Sequence, residues 1–113
     1  MNLNFSVRNL TLSPRQQEYV IEKIERLKKY GDRLADESTQ AKVDIERDLK
    51  HNRGPVILFT ANIFVPGTTL RAEVRGATVE EACDLAYDKL KAQAETYKAR
   101  YQSKHTDDLT TPD

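Results

Sequence analysis

Residues 65–100 read V-P-G-T-T-L-R-A-E-V-R-G-A-T-V-E-E-A-C-D-L-A-Y-D-K-L-K-A-Q-A-E-T-Y-K-A-R, from Val65 to Arg100. Pro66-Gly67 suits the central positions of a type II turn, where Pro presets φ and Gly accepts a positive φ. Leu70, Ala72 and Val74 then alternate with Arg71, Glu73 and Arg75, the period-2 pattern of a strand with one buried face. Gly76 closes that strand. Thr78-Val79-Glu80-Glu81 has the form of a capping box, so a helix is expected to start at Val79. Nothing breaks it before about Tyr101.

Working back toward the N-terminus, Leu3, Phe5 and Val7 alternate with Asn4, Ser6 and Arg8 and predict a first strand. Ser13-Pro14 starts a helix, with Ser13 as N-cap and Pro14 at its first position. That helix is expected to reach about Tyr30 and stop at Gly31. Residues 32–38 read as a polar connection. Val43, Ile45 and Leu49 mark a second strand, with Lys42, Asp44, Glu46 and Asp48 on its other face. Lys50-His51-Asn52-Arg53-Gly54 reads as a basic loop. Residues 56–65 are nearly continuous in apolar and β-prone side chains, as in a central strand.

The order is therefore β-α-β-β-β-α, an α+β two-layer sandwich. A right-handed crossover makes the first two strands parallel. Short loops make strands two to four a meander, and both helices bury their apolar stripes on one face of a four-stranded sheet. Residues 1–101 form one domain, and residues 102–113 are expected to be a polar, acidic, disordered tail.

The chain has 113 residues, of which 38% are hydrophobic and 32% charged, with a net charge of zero. It has no apolar run able to span a membrane. Residues 1–5 lack the features of a signal peptide, so a cytoplasmic protein is expected. Asp107, Asp108 and Asp113 concentrate negative charge in the tail and leave residues 1–105 with a net +3. A mildly basic body is compatible with a nucleic-acid partner.

Helical phasing at about 100° per residue sorts the side chains. On the first helix Val20, Ile24 and Leu27 form the core stripe, flanked by Ile21. Arg15, Tyr19, Lys23, Arg26 and Tyr30 run along one flank. Three cations and two aromatics in a row suit a phosphate backbone with stacked sugars or bases. Mixed charge on a solvated flank is the alternative, and composition alone favours it. On the long helix Val79, Ala82, Cys83, Ala86, Leu90, Tyr97 and Tyr101 share the core side. Cys83, the single cysteine, reads as a small buried hydrophobe. Lys89, Gln93, Thr96 and Arg100 form one flank. Lys91 and Lys98 lie on the other, near Glu80, Asp84, Asp88 and Glu95, as members of surface ion pairs. Asp84 and Asp88 read as a solvent-facing acidic pair.

No catalytic or metal-binding constellation is evident. His51 and His105 stand in no ligand or triad spacing, and there is no glycine-rich phosphate loop. No enzyme activity, cofactor, metal or small-molecule substrate is expected.

The opening L-N-F, the segment I-E-K-I-E-R-L-K-K-Y, and P-G-T-T-L-R-A-E-V-R-G followed by A-C-D-L-A-Y-D-K-L together resemble the ribosome hibernation promoting factors. These are also called ribosome-associated inhibitor A or sigma-factor modulation proteins. The resemblance covers about residues 1–101. It implies a sandwich similar to double-stranded RNA-binding domains, in agreement with the order derived above. It also implies a stress protein that binds small-subunit rRNA where mRNA and tRNA pass the decoding centre. There it blocks translation by occlusion, gripping phosphates with little sequence readout.

Carried over by position, the resemblance assigns rRNA contacts to Lys23, Arg26, Lys29 and Tyr30 on the first helix, and to Lys89 and Arg100 on the second. Ala92 and Thr96 stand where relatives commonly carry a cation. Thr78-Val79-Glu80-Glu81 departs from the usual Asp-hydrophobe-Tyr pattern. Arg15, Arg71, Arg75, Lys91 and Lys98, with the loop cations Lys50 and Arg53, are the candidates to compensate. Long members carry a second domain that dimerises ribosomes. This sequence has only the acidic tail beyond the domain, so a monomer that does not pair ribosomes by that route is expected. A non-enzymatic protein–protein adaptor using the exposed sheet face is the competing reading.

Overall fold

The computed structural model describes residues 1–50, 53 and 56–100. The tail, Tyr101, both histidines and most of the expected basic loop lie outside the described residues. The elements are β1 (Asn2–Arg8), α1 (Pro14–Glu25), a 3-10 segment (Arg26–Tyr30), α2 (Asp32–Ala35), β2 (Gln40–Arg47), β3 (Ile57–Val65), β4 (Thr68–Gly76) and α3 (Val79–Lys98). The strands form one sheet in the order β1-β2-β3-β4. β1 runs parallel to β2, and the other pairings are antiparallel, as expected.

Register explains the buried face. Phe5 pairs with Val43, Val43 with Ala61, and Ala61 with Ala72. Because strand side chains alternate, this row and its neighbours at two-residue steps put Ile45, Phe59, Ile63 and Leu70 on the same side. They meet Val20, Ile24 and Leu27 of the first helical stretch and Ala82, Cys83, Ala86 and Leu90 of α3 in one core cluster. At Pro66-Gly67 the hairpin has a two-residue loop, with Val65 opposite Thr68 and Gly67 at φ 90°. That is the left-handed conformation a type II turn requires at its second central residue.

α1 starts with a full capping box. The Ser13 hydroxyl accepts the Gln16 N–H, and the Gln16 side chain accepts the Ser13 N–H. α3 starts with half of one. The Thr78 hydroxyl accepts the Glu81 N–H at 3.1 Å, but the Glu81 carboxylate reaches one residue further back, to the Ala77 N–H at 2.6 Å.

Three expectations need correction. The first helix does not continue as α-helix to Tyr30; it tightens to 3-10 geometry at Arg26. Residues 32–38 are not merely a polar connection, since Asp32–Ala35 make one helical turn that inserts Leu34, fully buried, into the core. The tighter pitch and the turn at Gly31 (φ 143°) bring both Leu27 and Leu34 to face the sheet, as the 3.0-residue period of a 3-10 segment allows. Leu49 is not part of the second strand. β2 ends at Arg47, Asp48 turns the chain by accepting the Lys50 N–H, and Leu49 is 69% exposed.

Candidate nucleic-acid interface

The helix layer presents two flanks, and the candidate residues divide between them. On the first flank α1 and the 3-10 segment lie beside α3. Lys23 does not project freely from it. Its ammonium sits 3.4 Å from Asp84 Oδ1 of α3 and 5.1 Å from the centroid of the Tyr87 ring, and its side chain is only 20% exposed. The Tyr19 hydroxyl donates to the same Asp84 oxygen at 2.6 Å. Tyr19 and Lys23, read as part of a free row, are thus tied across the helix pair. Asp84, read as a solvent-facing acid, is their shared acceptor.

Electrostatics follow from this contact. The hydrogen bond to the Asp84 carboxylate raises the Tyr19 phenol from 10.0 to about 12, with desolvation adding to it. Tyr19 therefore stays a donor throughout the physiological range. Tyr30 is half-buried at the end of the 3-10 segment. Its phenol is also raised, by desolvation first and then by Tyr87 and Glu95, which places it beside α3. Lys29 lies 5.4 Å from the Tyr30 ring centroid, within cation–π reach.

Arg15, Arg26 and Lys29 are exposed on this flank. Among the described residues Arg15 and Arg26 make no ion pair, while Lys28 beside them is taken by Glu25 at 3.6 Å. Lys91 and Lys98 are exposed on α3. At about 100° per residue they fall on the same side of the helix as Asp84 and Tyr87, toward α1. The first flank therefore holds Arg15, Lys23, Arg26, Lys29, Tyr30, Lys91 and Lys98, interleaved on α3 with Glu80, Asp84, Asp88 and Glu95, which share that side of the helix.

The second flank faces the free edge of β4. Gln93 of α3 bonds the Arg71 main chain there. Arg100 lines an open groove of about 310 Å³ with Thr68, Thr69, Gln93, Thr96 and Ala92. Lys89 lies near Glu73, Arg75 and Asp88 around a second open depression. Ala92 and Thr96, the positions where a cation is missing, are thus on this side. Arg71 and Arg75 each have partners within the fold. Arg71 donates to Asn62 at 2.9 Å and approaches Glu73 at 3.9 Å, and Arg75 bonds Asp48 at 3.3 Å. With Arg8 paired to Glu46 at 3.1 Å, the outer sheet face neutralises much of its own charge.

Sequence reasoning missed Tyr87, which is buried against Lys23, and Ala94, which is buried in the core. The apolar run A-Y at 86–87 was the available signal for Tyr87. Among the described residues no group of three or more His, Cys, Asp or Glu could hold a metal ion. No helix among them is long and apolar enough to cross a membrane.

Comparison with known proteins bears on the family and the fold. A family model described as "Sigma 54 modulation protein / S30EA ribosomal protein" matches residues 3–102. A ribosome hibernation promotion factor of Deinococcus radiodurans is 32% identical over 108 residues, which are 95% of this chain and 54% of that protein. The chain thus spans about half the length of that curated relative. The N-terminal domain of Protein Y from Thermus thermophilus superposes with a TM-score of 0.69 at 26% identity, covering 86% of this chain and 99% of that one. A ribosomal subunit interface protein from Coxiella burnetii gives 0.70 at 20% identity, covering 88% and 99%, and shares the fold.

Proposed function

Because the chain belongs to the sigma 54 modulation protein / S30EA ribosomal protein family, we propose that it is a ribosome hibernation factor that binds the small ribosomal subunit and inhibits translation by occlusion. The site is the mRNA and tRNA channel near the decoding centre, and the contact surface is the helix layer. The observation that carries this reading is the family match over residues 3–102. Beside it, Arg26, Lys29, Lys91 and Lys98 are exposed, and helical phasing sets Lys91 and Lys98 on the side of α3 toward Lys23 and Tyr30, among the acids Glu80, Asp84, Asp88 and Glu95.

Cations on rigid helices reach phosphate oxygens by charge-assisted hydrogen bonds, which fix position without reading sequence. Tyr30 offers a ring edge for a sugar or an unstacked base. Such a surface recognises the shape and charge of folded RNA. The action is steric and needs no chemical step, cofactor or small-molecule substrate. It takes place wherever ribosomes work, in the cytoplasm, with the domain acting as a monomer.

Co-sedimentation with purified small subunits at low and moderate salt tests this, with mRNA and initiator tRNA as competitors. Binding is expected to weaken steeply with salt, because each phosphate contact releases counterions, and to be displaced by the competitors. Binding that ignores both salt and competitors would overturn the reading. It would favour a protein partner on the sheet face, where Phe64 is 49% exposed.

A further inference from the structure

Lys23 is one of the positions the family resemblance gives to RNA, yet in the folded chain it already has an anion. Two donors of α1, the Tyr19 hydroxyl and the Lys23 ammonium, converge on one oxygen of Asp84, at 2.6 and 3.4 Å. The Asp84 side chain is 47% exposed, so its carboxylate lies at the surface that an approaching phosphate would meet. The neighbouring cations differ. Arg26 makes no ion pair among the described residues, and Lys29 faces only a ring.

We propose that Asp84 is a built-in counter-ion for Lys23 that determines specificity by discriminating against generic RNA. The proposal rests on the helix layer being the RNA-binding surface. A phosphate that approaches Lys23 must either displace the Asp84 carboxylate or lie beside it. Displacement exchanges one ion pair for another. Lying beside it sets two negative groups together, which is unfavourable. An arbitrary RNA backbone therefore gains little from Lys23 and is held by the unpaired cations alone. Only a surface whose shape seats a phosphate over Lys23 and away from Asp84 uses this residue.

Salt-dependent binding to a short A-form RNA duplex of arbitrary sequence tests this, with small ribosomal subunits titrated in parallel. Asp84→Asn keeps an acceptor for the Tyr19 hydroxyl and removes the charge. It is expected to bind the duplex about tenfold more tightly at low salt. Its plot of log affinity against log salt should be steeper by about one contact, a slope change of about 0.9. Asp88→Asn makes the same charge change one turn along, on an exposed side chain, and should give a clearly smaller gain. The gain should vanish in a Lys23→Ala background, as a double-mutant cycle reads it. Asp84→Ser replaces Asp84→Asn should the latter melt early.

An unchanged slope, a gain that persists without Lys23, or weaker binding by both variants would overturn the proposal. The last outcome would make Asp84 a positioning residue for Lys23. The two readings fail separately. Small subunits that bind while the duplex shows no Asp84 effect sink the counter-ion. A duplex effect without subunit binding sinks the small-subunit reading alone.

Discussion

The side-chain amide of Gln93 makes two hydrogen bonds to the main chain of Arg71, accepting its N–H at 2.8 Å and donating to its C=O at 2.6 Å. That is the bond pair a neighbouring strand would make. β4 is an edge strand, and an edge with free donors and acceptors is a template for unwanted strand pairing. Gln93→Ala is expected to lower stability by about 1 kcal/mol, since the bonds are exposed and water partly replaces them. The urea midpoint should fall with an unchanged slope. Self-association on concentration should rise, as light scattering would show. A variant that is equally stable and stays monomeric would mean the contact is incidental.

Charge reversal on the two central cations of α1 should separate binding from folding. The flank pattern alone treats Lys23 and Arg26 as equivalent, and reversing both should leave the fold intact. The structure distinguishes them. Arg26 is exposed and makes no ion pair among the described residues, so Arg26→Glu should weaken small-subunit binding about tenfold with an unchanged melting temperature. Lys23→Glu would set a second carboxylate against Asp84, now 3.4 Å from the ammonium. It should cost about 1 kcal/mol of stability or more as well as binding. If both variants melt like the parent protein, the α1–α3 bridge contributes nothing to the fold.

The difference between these two residues shows how far the sequence could be read. Strand alternation put Val43 and Ile45, and Leu70 and Ala72, on the buried faces of their strands, because a two-residue period survives any arrangement of neighbours. Leu90 on α3 was equally legible, and it is fully buried. The fate of Lys23 was not, since a helical wheel for one helix says nothing about which flank a second helix covers. Asp84 lies 61 residues away in sequence. The 3-10 segment and Leu34 were missed for a related reason. A single apolar residue among Asp32, Arg33 and Asp36 has no periodic signal, and only the core it fills explains it.

Gly76 should be intolerant of even a methyl group. It pairs with Ile57 at the end of β4, and α3 begins almost against it. A Cβ there would come 2.6 Å from the Ala82 nitrogen and 2.9 Å from its Cα and Cβ. These are backbone and near-backbone atoms at the start of a helix, which cannot swing aside. Gly76→Ala is expected to destabilise by about 1–3 kcal/mol, the range for overpacking. Thermal unfolding would read this. A fall of less than a degree would show that α3 is free to shift its first turn.

Alkaline pH should unfold the domain through Cys83 and Tyr19. Cys83 is fully buried, and its thiol is pushed from 9.0 to about 12, chiefly by desolvation, with Asp84 adding and Lys23 opposing. Tyr19 rises from 10.0 to about 12 through its bond to Asp84. In both cases the folded state holds the proton more tightly than the unfolded state does. Their contribution to stability is therefore fully present below the unfolded values and is lost as pH rises toward the folded ones. Melting temperature should be flat through neutral pH with respect to these groups and fall between about 9 and 12. Cys83→Ala should make that fall shallower, because it removes the group whose ionisation most favours unfolding. A buried, protonated thiol is also a poor nucleophile. Ellman's reagent should modify Cys83 slowly in the native protein at neutral pH and stoichiometrically in denaturant. Fast native modification would place the thiol at the surface and contradict the packing of α3 on the sheet.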